Sequence, residues 1–156
     1  MAGDLFYYDF TTKIFKERDR APDCPPEDLP EDFPATETPP PEPLVFHDIV
    51  FDTEAKEWTY RLKPIQQIQS ELEAAIDAHI ADVMHARTYD SITSCITYLG
   101  STNPRWNSDA RDALAWRTAV WERAYELLNK WQTGEIDMLT PEQVIAALPA
   151  IEWTYK

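Results

Sequence analysis

The sequence predicts an α+β protein in which small β-hairpins and a proline-rich segment precede an all-α helical C-terminal domain. Three observations lead to this prediction. Short runs that alternate apolar and polar residues occur before residue 63, and nine of the 13 prolines lie between residues 21 and 44. From Pro64 onward, apolar residues recur at helical spacing instead. We therefore divide the 156 residues into a β-hairpin and proline-rich N-terminal arm, 1–63, and a helical domain, 64–156.

Two hairpins are predicted in the arm. Residues 5–15 read LFYYDFTTKIF, in which aromatic and β-branched residues flank a turn at 9–12. A second hairpin has strands at 45–51 and 57–62, joined by a turn at 52–56. Because two isolated hairpins are barely stable in water, we expect them to pair with each other or with another chain.

The segment between the hairpins, residues 21–44, is dominated by proline. Proline fixes φ and lacks a backbone donor, so this segment is excluded from helices and from central strands. We expect an extended chain that serves as a linker or lies across a surface. Leu29 and Phe33 are the residues expected to hold it there.

The first helix is predicted to have Pro64 as its first residue and to span about 22 residues. One narrow apolar stripe follows the helical period along it, formed by Ile65, Ile68, Leu72, Ile76, Ile80 and Val83. The first interpretation is that this stripe packs on the helices that follow. The second is a coiled-coil-like seam through which the chain forms a homo-oligomer.

Residues typical of helix ends predict three more helices. Asp90 is the predicted N-cap of a short helix that ends at Gly100. After a loop, a long helix is expected over 108–132. A capping box at Thr140 predicts a final helix over 141–148 with proline as its first residue.

The charge of the chain argues against several classes of partner. The formal net charge is −14, with 7 basic and 15 acidic residues in the arm and 7 and 13 in the helical domain. Such a field repels nucleic-acid phosphates and anionic membranes, so we expect neither as a partner. No apolar run approaches the roughly 20 residues that span a bilayer, and the first ten residues lack the features of a signal peptide.

No motif for catalysis, a metal or a cofactor is present. With only three glycines, the chain has no phosphate-binding or dinucleotide-binding loop. His79 and His85 are separated by about 600° of helical rotation and so cannot share a metal. Cys24 and Cys95 are interpreted as free thiols in a reducing cytoplasm, with a disulfide between them as the alternative. We therefore expect a protein that is not an enzyme and needs no cofactor.

Four of the six tryptophans lie in one stretch of 26 residues inside the helical domain. Trp121 and Trp131 fall on the apolar face of the long helix and are predicted core residues. Trp116 lies off that stripe, and Trp106 lies in the predicted loop. Tryptophan and arginine are the residue types that most often anchor protein interfaces. The predicted partner-binding residues are Trp106, Trp116, Arg117 and Arg123.

The helical domain resembles a known family in several ordered motifs. These are RTYDSI from Arg87, ITYLGSTNP from Ile96 and AWRTAVWERAY from Ala115, followed by the Thr-Gly pair at Thr133 and the Thr-Pro-Glu run at Thr140. They are similar to small proteins of tailed bacteriophages that are encoded beside tail-fibre genes and described as tail-fibre assembly proteins. The resemblance covers about residues 65–150, and the opening FYYDFTTKIF resembles the family more loosely.

The resemblance implies a non-catalytic chaperone that binds a tail-fibre protein and promotes its folding or trimerisation. Such a protein acts in the host cytoplasm during assembly, and retention in the virion tail is the other outcome. A first alternative is a permanent structural component of a phage or tailocin tail, with the predicted seam of the first helix at a trimer axis. A second is an acidic inhibitor that mimics DNA, which requires carboxylates arrayed like phosphates on one face.

Overall fold

The computed structural model describes residues 4–8, 12–20 and 35–156. Across these residues the elements are, in order, β1 (Asp4–Tyr8), β2 (Phe15–Arg20), β3 (Ala35–Thr36), β4 (His47–Asp52), β5 (Glu57–Leu62), α1 (Ile65–Ala86), α2 (Ile92–Ile96), α3 (Pro104–Gln132) and α4 (Pro141–Ala146). The predicted α+β class is confirmed. The chain divides into two compact units, an N-terminal unit of residues 1–68 and a helical unit of residues 69–156. The division falls inside the first turn of α1, a few residues after the predicted boundary.

The first sheet has the strand order β2–β1–β3 and is antiparallel. Strands β1 and β2 form the first predicted hairpin, but β2 continues to Arg20 through charged residues that the apolar pattern did not mark. Residues 9–11 of the predicted turn lie outside the described residues, as do Leu29 and Phe33. Strand β3 was not predicted. It belongs to the proline-rich segment and lies at the sheet edge, where a missing backbone donor is tolerated.

The second predicted hairpin is confirmed, with β4 and β5 in register from the pair of His47 and Leu62 to the pair of Asp52 and Glu57. The Asp52 carboxylate closes the turn by accepting hydrogen bonds from the backbone N–H groups of Ala55, at 3.0 Å, and Glu54, at 2.9 Å. These two bonds lower the pKa of Asp52.

The two hairpins pair with each other, as predicted. A bridge joins Ile14 to Val50, and the Phe51 N–H donates to the Lys13 carbonyl at 2.9 Å. This contact joins the end of one hairpin to β4 and so provides the additional strand pairing that an isolated hairpin lacks.

The aromatic side chain of Trp58 is central to the N-terminal unit. Its ring lies 4.9 Å from that of Phe51 and 6.2 Å from that of Tyr8. Its indole nitrogen donates to the Thr38 carbonyl at 2.7 Å, and the Tyr60 hydroxyl donates to the Glu42 carbonyl. Residues 38–42 of the proline-rich segment therefore lie across β5. Of the two arrangements expected for that segment, a linker or a chain lying across a surface, this is the latter.

Helix α1 has the predicted length, but Pro64 precedes it and accepts from the Ile68 N–H at 3.1 Å. In the helical unit the stripe residues Ile76 and Ile80 are buried in the core, and Leu72 and Val83 pack against it. The rest of the buried core consists of Met84, Cys95, Ala113, Trp116, Val120, Leu127 and Val144.

This burial supports the packing interpretation of the stripe and contradicts the homo-oligomer seam. A seam needs its apolar side chains at the surface, whereas Ile68, Ile76 and Ile80 are 1%, 3% and 3% exposed. Of the six stripe residues, Ile65 is the one that the structure exposes, at 39%.

Helix α1 ends in a Schellman turn with a threonine in the position that usually holds glycine. The Tyr89 N–H donates to the Met84 carbonyl and the Thr88 N–H to the His85 carbonyl, both at 2.9 Å. Thr88 has a φ of 74°, which is unusual for a β-branched residue. The turn brings Arg87 and Tyr89 to the start of α3.

Two predicted helix starts are wrong. The N-cap of α2 is Ser91 rather than Asp90, since the Ser91 hydroxyl accepts from the Ser94 N–H at 3.0 Å. Helix α3 begins at Pro104 rather than near residue 108, because the Asn103 side chain caps it. Trp106 therefore lies in the first turn of a helix and not in a loop.

The last helix follows its prediction more closely. The capping box at Thr140 is present, with its side chain and that of Gln143 each accepting from the other's backbone N–H. Helix α4 ends at Ala146, two residues before the predicted end at Leu148. Among the described residues, no helix has the length and apolar character that crossing a bilayer requires.

Candidate protein-interaction surface

The turn after α2 is fastened to the first turn of α3. Gly100 has a φ of 79°, and its N–H donates to the Asn107 side chain at 2.9 Å. Asn103 in turn accepts from the N–H groups of Arg105, at 3.0 Å, and Trp106, at 3.4 Å. The bond between Gly100 and Asn107 joins the two segments, and the Asn103 cap fixes the start of α3.

This arrangement places two exposed aromatic rings in contact. The ring centroids of Tyr98 and Trp106 lie 5.2 Å apart, and the two residues are 36% and 46% exposed. Leu99, in the same turn as Tyr98, is 41% exposed, and the Arg105 side chain is 54% exposed. We call Tyr98, Leu99, Arg105 and Trp106 the aromatic surface. Large aromatic side chains beside an arginine are the composition of interface hot spots.

A buried ionic network supports this surface from below. Asp109 is 1% exposed and accepts from the Arg87 Nη2 at 2.8 Å and Nε at 3.2 Å. The Tyr89 hydroxyl donates to the same carboxylate at 3.1 Å, and the Tyr89 ring lies 6.1 Å from that of Tyr98. Arg105 Nε lies 3.9 Å from the Asp109 carboxylate and adds a second positive charge beside it. The aromatic surface and the network thus share Arg105 and are joined through Tyr89.

The same network holds the end of the chain. Arg87 donates to the Tyr155 carbonyl, and its guanidinium lies 4.9 Å from the centre of the Trp153 ring. On the next turn of α3, the Asp112 carboxylate accepts from the Thr154 N–H at 2.8 Å and hydroxyl at 3.1 Å. Residues 153–155 are therefore fixed against α3 by charged groups.

Of the four predicted partner-binding residues, Trp116 is the clear error. It is 6% exposed and belongs to the core, and its indole nitrogen donates to the Pro149 carbonyl at 2.7 Å. Its ring also contacts that of His79 at 6.1 Å. The spacing of Ala113, Trp116 and Val120, three and four residues apart, places Trp116 on the buried face of α3, so its predicted position off the stripe misjudged the helical phase. The prediction of an exposed Trp116 is therefore wrong.

The two predicted arginines are not grouped with Trp106. At 1.5 Å per residue, Arg117 and Arg123 lie about 16 and 25 Å further along α3. Arg117 is exposed, whereas Arg123 is bound within the unit through the Ala147 carbonyl at 3.4 Å and the Glu126 carboxylate at 2.7 Å. The structure instead adds Tyr98 and Leu99 to Trp106. The short helix predicted to end at Gly100 would have included Leu99, but α2 ends at Ile96.

No described group of three or more His, Cys, Asp or Glu side chains is arranged to hold a metal ion. Cys95 is a buried free thiol, so the alternative of a disulfide to Cys24 is wrong; Cys24 itself lies outside the described residues. Burial raises the pKa of Cys95 to about 11. A thiol held in this form is a poor nucleophile and behaves as an apolar core residue.

Comparison with protein-family models, with curated proteins and with solved structures finds no match to this chain. The geometry of the aromatic surface and the motif resemblance are the observations that bear on function.

The raised pKa values of Cys95 and Tyr89 predict that the protein loses stability at alkaline pH. The pKa of Cys95 rises from 9.0 to about 11, and that of Tyr89 from 10.0 to about 12, chiefly by burial. The folded state holds both protons to higher pH than the unfolded state, so the free energy of unfolding falls as pH rises above about 9. Urea unfolding at pH 8 and pH 11 should differ by about 2 kcal/mol from Cys95 alone. Cys95→Ala should remove that part of the difference; an equal difference in the variant would contradict the assignment.

Proposed function

We propose that this chain is a non-catalytic tail-fibre assembly chaperone that binds a tail-fibre protein through the aromatic surface and promotes its folding or trimerisation. The observation that carries the proposal is the exposed contact between the Tyr98 and Trp106 rings, 5.2 Å apart, on a segment that belongs to the motif resemblance. An exposed aromatic pair adds nothing to the core, and its burial against a partner gains apolar area.

The rigidity of this surface favours binding. The side chains of Asn103 and Asn107 accept hydrogen bonds from backbone N–H groups, and these bonds fix the turn and the start of α3 in the free protein. A preorganised surface loses less conformational entropy on association than a mobile one. The net charge of −14 keeps a protein with exposed aromatic residues well solvated.

The N-terminal unit offers a second type of contact. Within the described residues, β5 pairs only with β4. The Lys63 N–H donates to the Phe46 carbonyl at 2.9 Å, so by alternation the backbone groups of Trp58, Tyr60 and Leu62 point away from β4. An extended segment of a β-rich fibre can add to such an edge by β-augmentation.

The alternative of a permanent tail component has less support. This alternative requires a trimeric seam along α1, and most of the side chains of that stripe are buried within the protein or pack against its core.

Co-expression with the tail-fibre protein encoded beside this chain tests the proposal. We expect a fibre that is soluble and trimeric only when the chain is present, measured by size-exclusion chromatography with light scattering. Trp106→Ala should weaken the complex by about 30-fold or more, the effect of a hot-spot truncation of about 2 kcal/mol or above. Leu114→Ala is the matched control, because Leu114 is 40% exposed on the same helix but outside the aromatic surface.

Two outcomes would reject parts of the proposal. A fibre that trimerises equally well without the chain rules out the chaperone role. Equal affinities for Trp106→Ala and Leu114→Ala rule out the aromatic surface. The contribution of β5 is tested separately with residues 64–156, which should keep the helical unit and bind the fibre more weakly; unchanged affinity would remove the N-terminal unit from the proposal.

A further inference from the structure

The helical unit contains an open apolar pocket on a different part of the molecule from the aromatic surface. Helices α1, α3 and α4 and the segment between α3 and α4 line it, and the empty space is about 570 Å³ when the open solvent at its mouth is included. Its principal lining residues are Leu72, Trp121, Tyr125, Leu128, Trp131 and Met138. The two tryptophans were predicted core residues, yet both are only partly buried.

The chain that follows α3 forms part of the pocket wall. Gly134, with a φ of 75°, forms a Schellman turn in which the Glu135 N–H donates to the Lys130 carbonyl at 2.9 Å. The chain then returns with Ile136 against the core. The Trp121 and Tyr125 rings, which also line the pocket, lie 6.0 Å apart, and Tyr125 is 59% exposed.

The lining chemistry favours an apolar side chain of a protein over a small polar ligand. Sites for small molecules combine an apolar wall with several convergent polar groups that fix orientation. Here Gln69, Glu73 and the hydroxyl-bearing Tyr125 are the polar residues among the lining side chains. A floor without polar partners suits a large aliphatic or aromatic side chain, as in helix-in-groove recognition.

The charges around the pocket are acidic. Glu73 lines it, and the exposed Asp137 lies between the lining residues Ile136 and Met138. The nearby Lys130 adds no free positive charge, because its ammonium group binds the Glu126 carboxylate at 2.7 Å. The hydrogen bonds from Lys130 and Arg123 lower the pKa of Glu126 to about 2, so this carboxylate remains ionised.

We propose that this pocket is a docking site for a basic amphipathic segment of a partner protein. A large apolar side chain of the segment enters between Trp121 and Trp131, and flanking lysine or arginine residues meet Glu73 and Asp137. The apolar walls supply most of the affinity, and the acidic side chains select the sign of the partner's charge. This site is independent of the aromatic surface and does not depend on the proposed function.

The test uses the full chain and a fluorescein-labelled 14-residue helical peptide of leucine and lysine, with leucines along one face. A matched peptide has every lysine replaced by glutamate. Fluorescence anisotropy should show saturable binding of the lysine peptide and none of the glutamate peptide. Equal binding of both peptides, or of neither, would overturn the proposal.

Charge-reversal variants separate the pocket from the general acidity of the chain. Glu73→Lys with Asp137→Lys should weaken binding of the lysine peptide about fivefold. The control, Asp82→Lys with Glu152→Lys, changes the net charge equally. Asp82 is exposed nine residues after Glu73, on the opposite side of α1, and Glu152 is exposed outside the lining segments. An equal loss in the control would show attraction to the whole chain and reject the site.

The indole N–H signals in a ¹⁵N–¹H spectrum locate the peptide. Those of Trp121 and Trp131 should shift on titration, while those of Trp106 and Trp153 stay in place. Shifts confined to Trp106 would move binding to the aromatic surface and overturn the proposal. Shifts of Trp121 and Trp131 with protein concentration alone would instead identify a second copy of the chain as the occupant.

Discussion

Replacing Asp109 by alanine is expected to lower the free energy of unfolding by about 3–5 kcal/mol, the cost of removing one partner from a buried ion pair. The carboxylate is 1% exposed and accepts two hydrogen bonds from Arg87 and one from Tyr89. In the variant the Arg87 guanidinium, whose side chain is 15% exposed, loses its only bidentate partner among the described residues. The Tyr89 hydroxyl loses its acceptor as well.

Urea unfolding followed by circular dichroism measures this loss. Asp112→Ala is the matched control, because Asp112 lies three residues later on α3 and also holds the C-terminal segment, through Thr154. That variant breaks two hydrogen bonds at the surface and should cost about 1 kcal/mol. If Asp109→Ala costs no more than Asp112→Ala, the buried pair does not stabilise the helical unit.

A double variant separates the charge from the packing. With Arg87→Leu and Asp109→Leu together, no charge remains buried, so part of the stability lost in Asp109→Ala should return. The network also supports the aromatic surface through Tyr89 and Arg105. We therefore expect Asp109→Ala to weaken fibre binding even though Asp109 itself is not at the surface.

Local signals predicted the parts of the fold that depend on neighbouring residues. The alternation around Asp52 predicted the β4–β5 hairpin, and the capping box at Thr140 predicted the start of α4. The start of α3 carries a similar signal, Asn103 followed by Pro104. It was missed because the first turn of α3 buries no apolar side chain, so the apolar period begins only at Ala110.

The candidate site was less predictable because it depends on contacts between distant residues. Trp106 was identified by residue type, but its partner Tyr98 depends on where α2 ends and on how Asn107 fastens Gly100. For Trp116 the helical phase was misread, since it follows Ala113 by three residues and precedes Val120 by four, which places all three on one face. The hydrogen bond from its indole to the Pro149 carbonyl could not be predicted in this way, because that residue lies 33 positions further along the chain.

Replacing Trp116 by alanine is expected to lower the free energy of unfolding by about 3–5 kcal/mol, as for other buried aromatic residues. The side chain is 6% exposed and also donates to the Pro149 carbonyl. Trp116→Phe keeps most of the apolar volume but leaves that carbonyl without its donor, so a smaller loss of about 1–2 kcal/mol is expected. Urea unfolding of the two variants checks the order.

The matched control for Trp116 is Trp106→Ala on the same helix. Trp106 is 46% exposed but packs on the Tyr98 ring, so its removal should lower the free energy of unfolding by about 1–2 kcal/mol, less than the loss of Trp116. Fibre affinity should show the opposite order among folded variants: Trp106→Ala weakens binding, whereas Trp116→Phe leaves it near that of the unaltered chain. A stable Trp116→Ala variant that has lost fibre binding would mean that this tryptophan belongs to the interface after all, and that the C-terminal segment moves away from α3 when the partner binds.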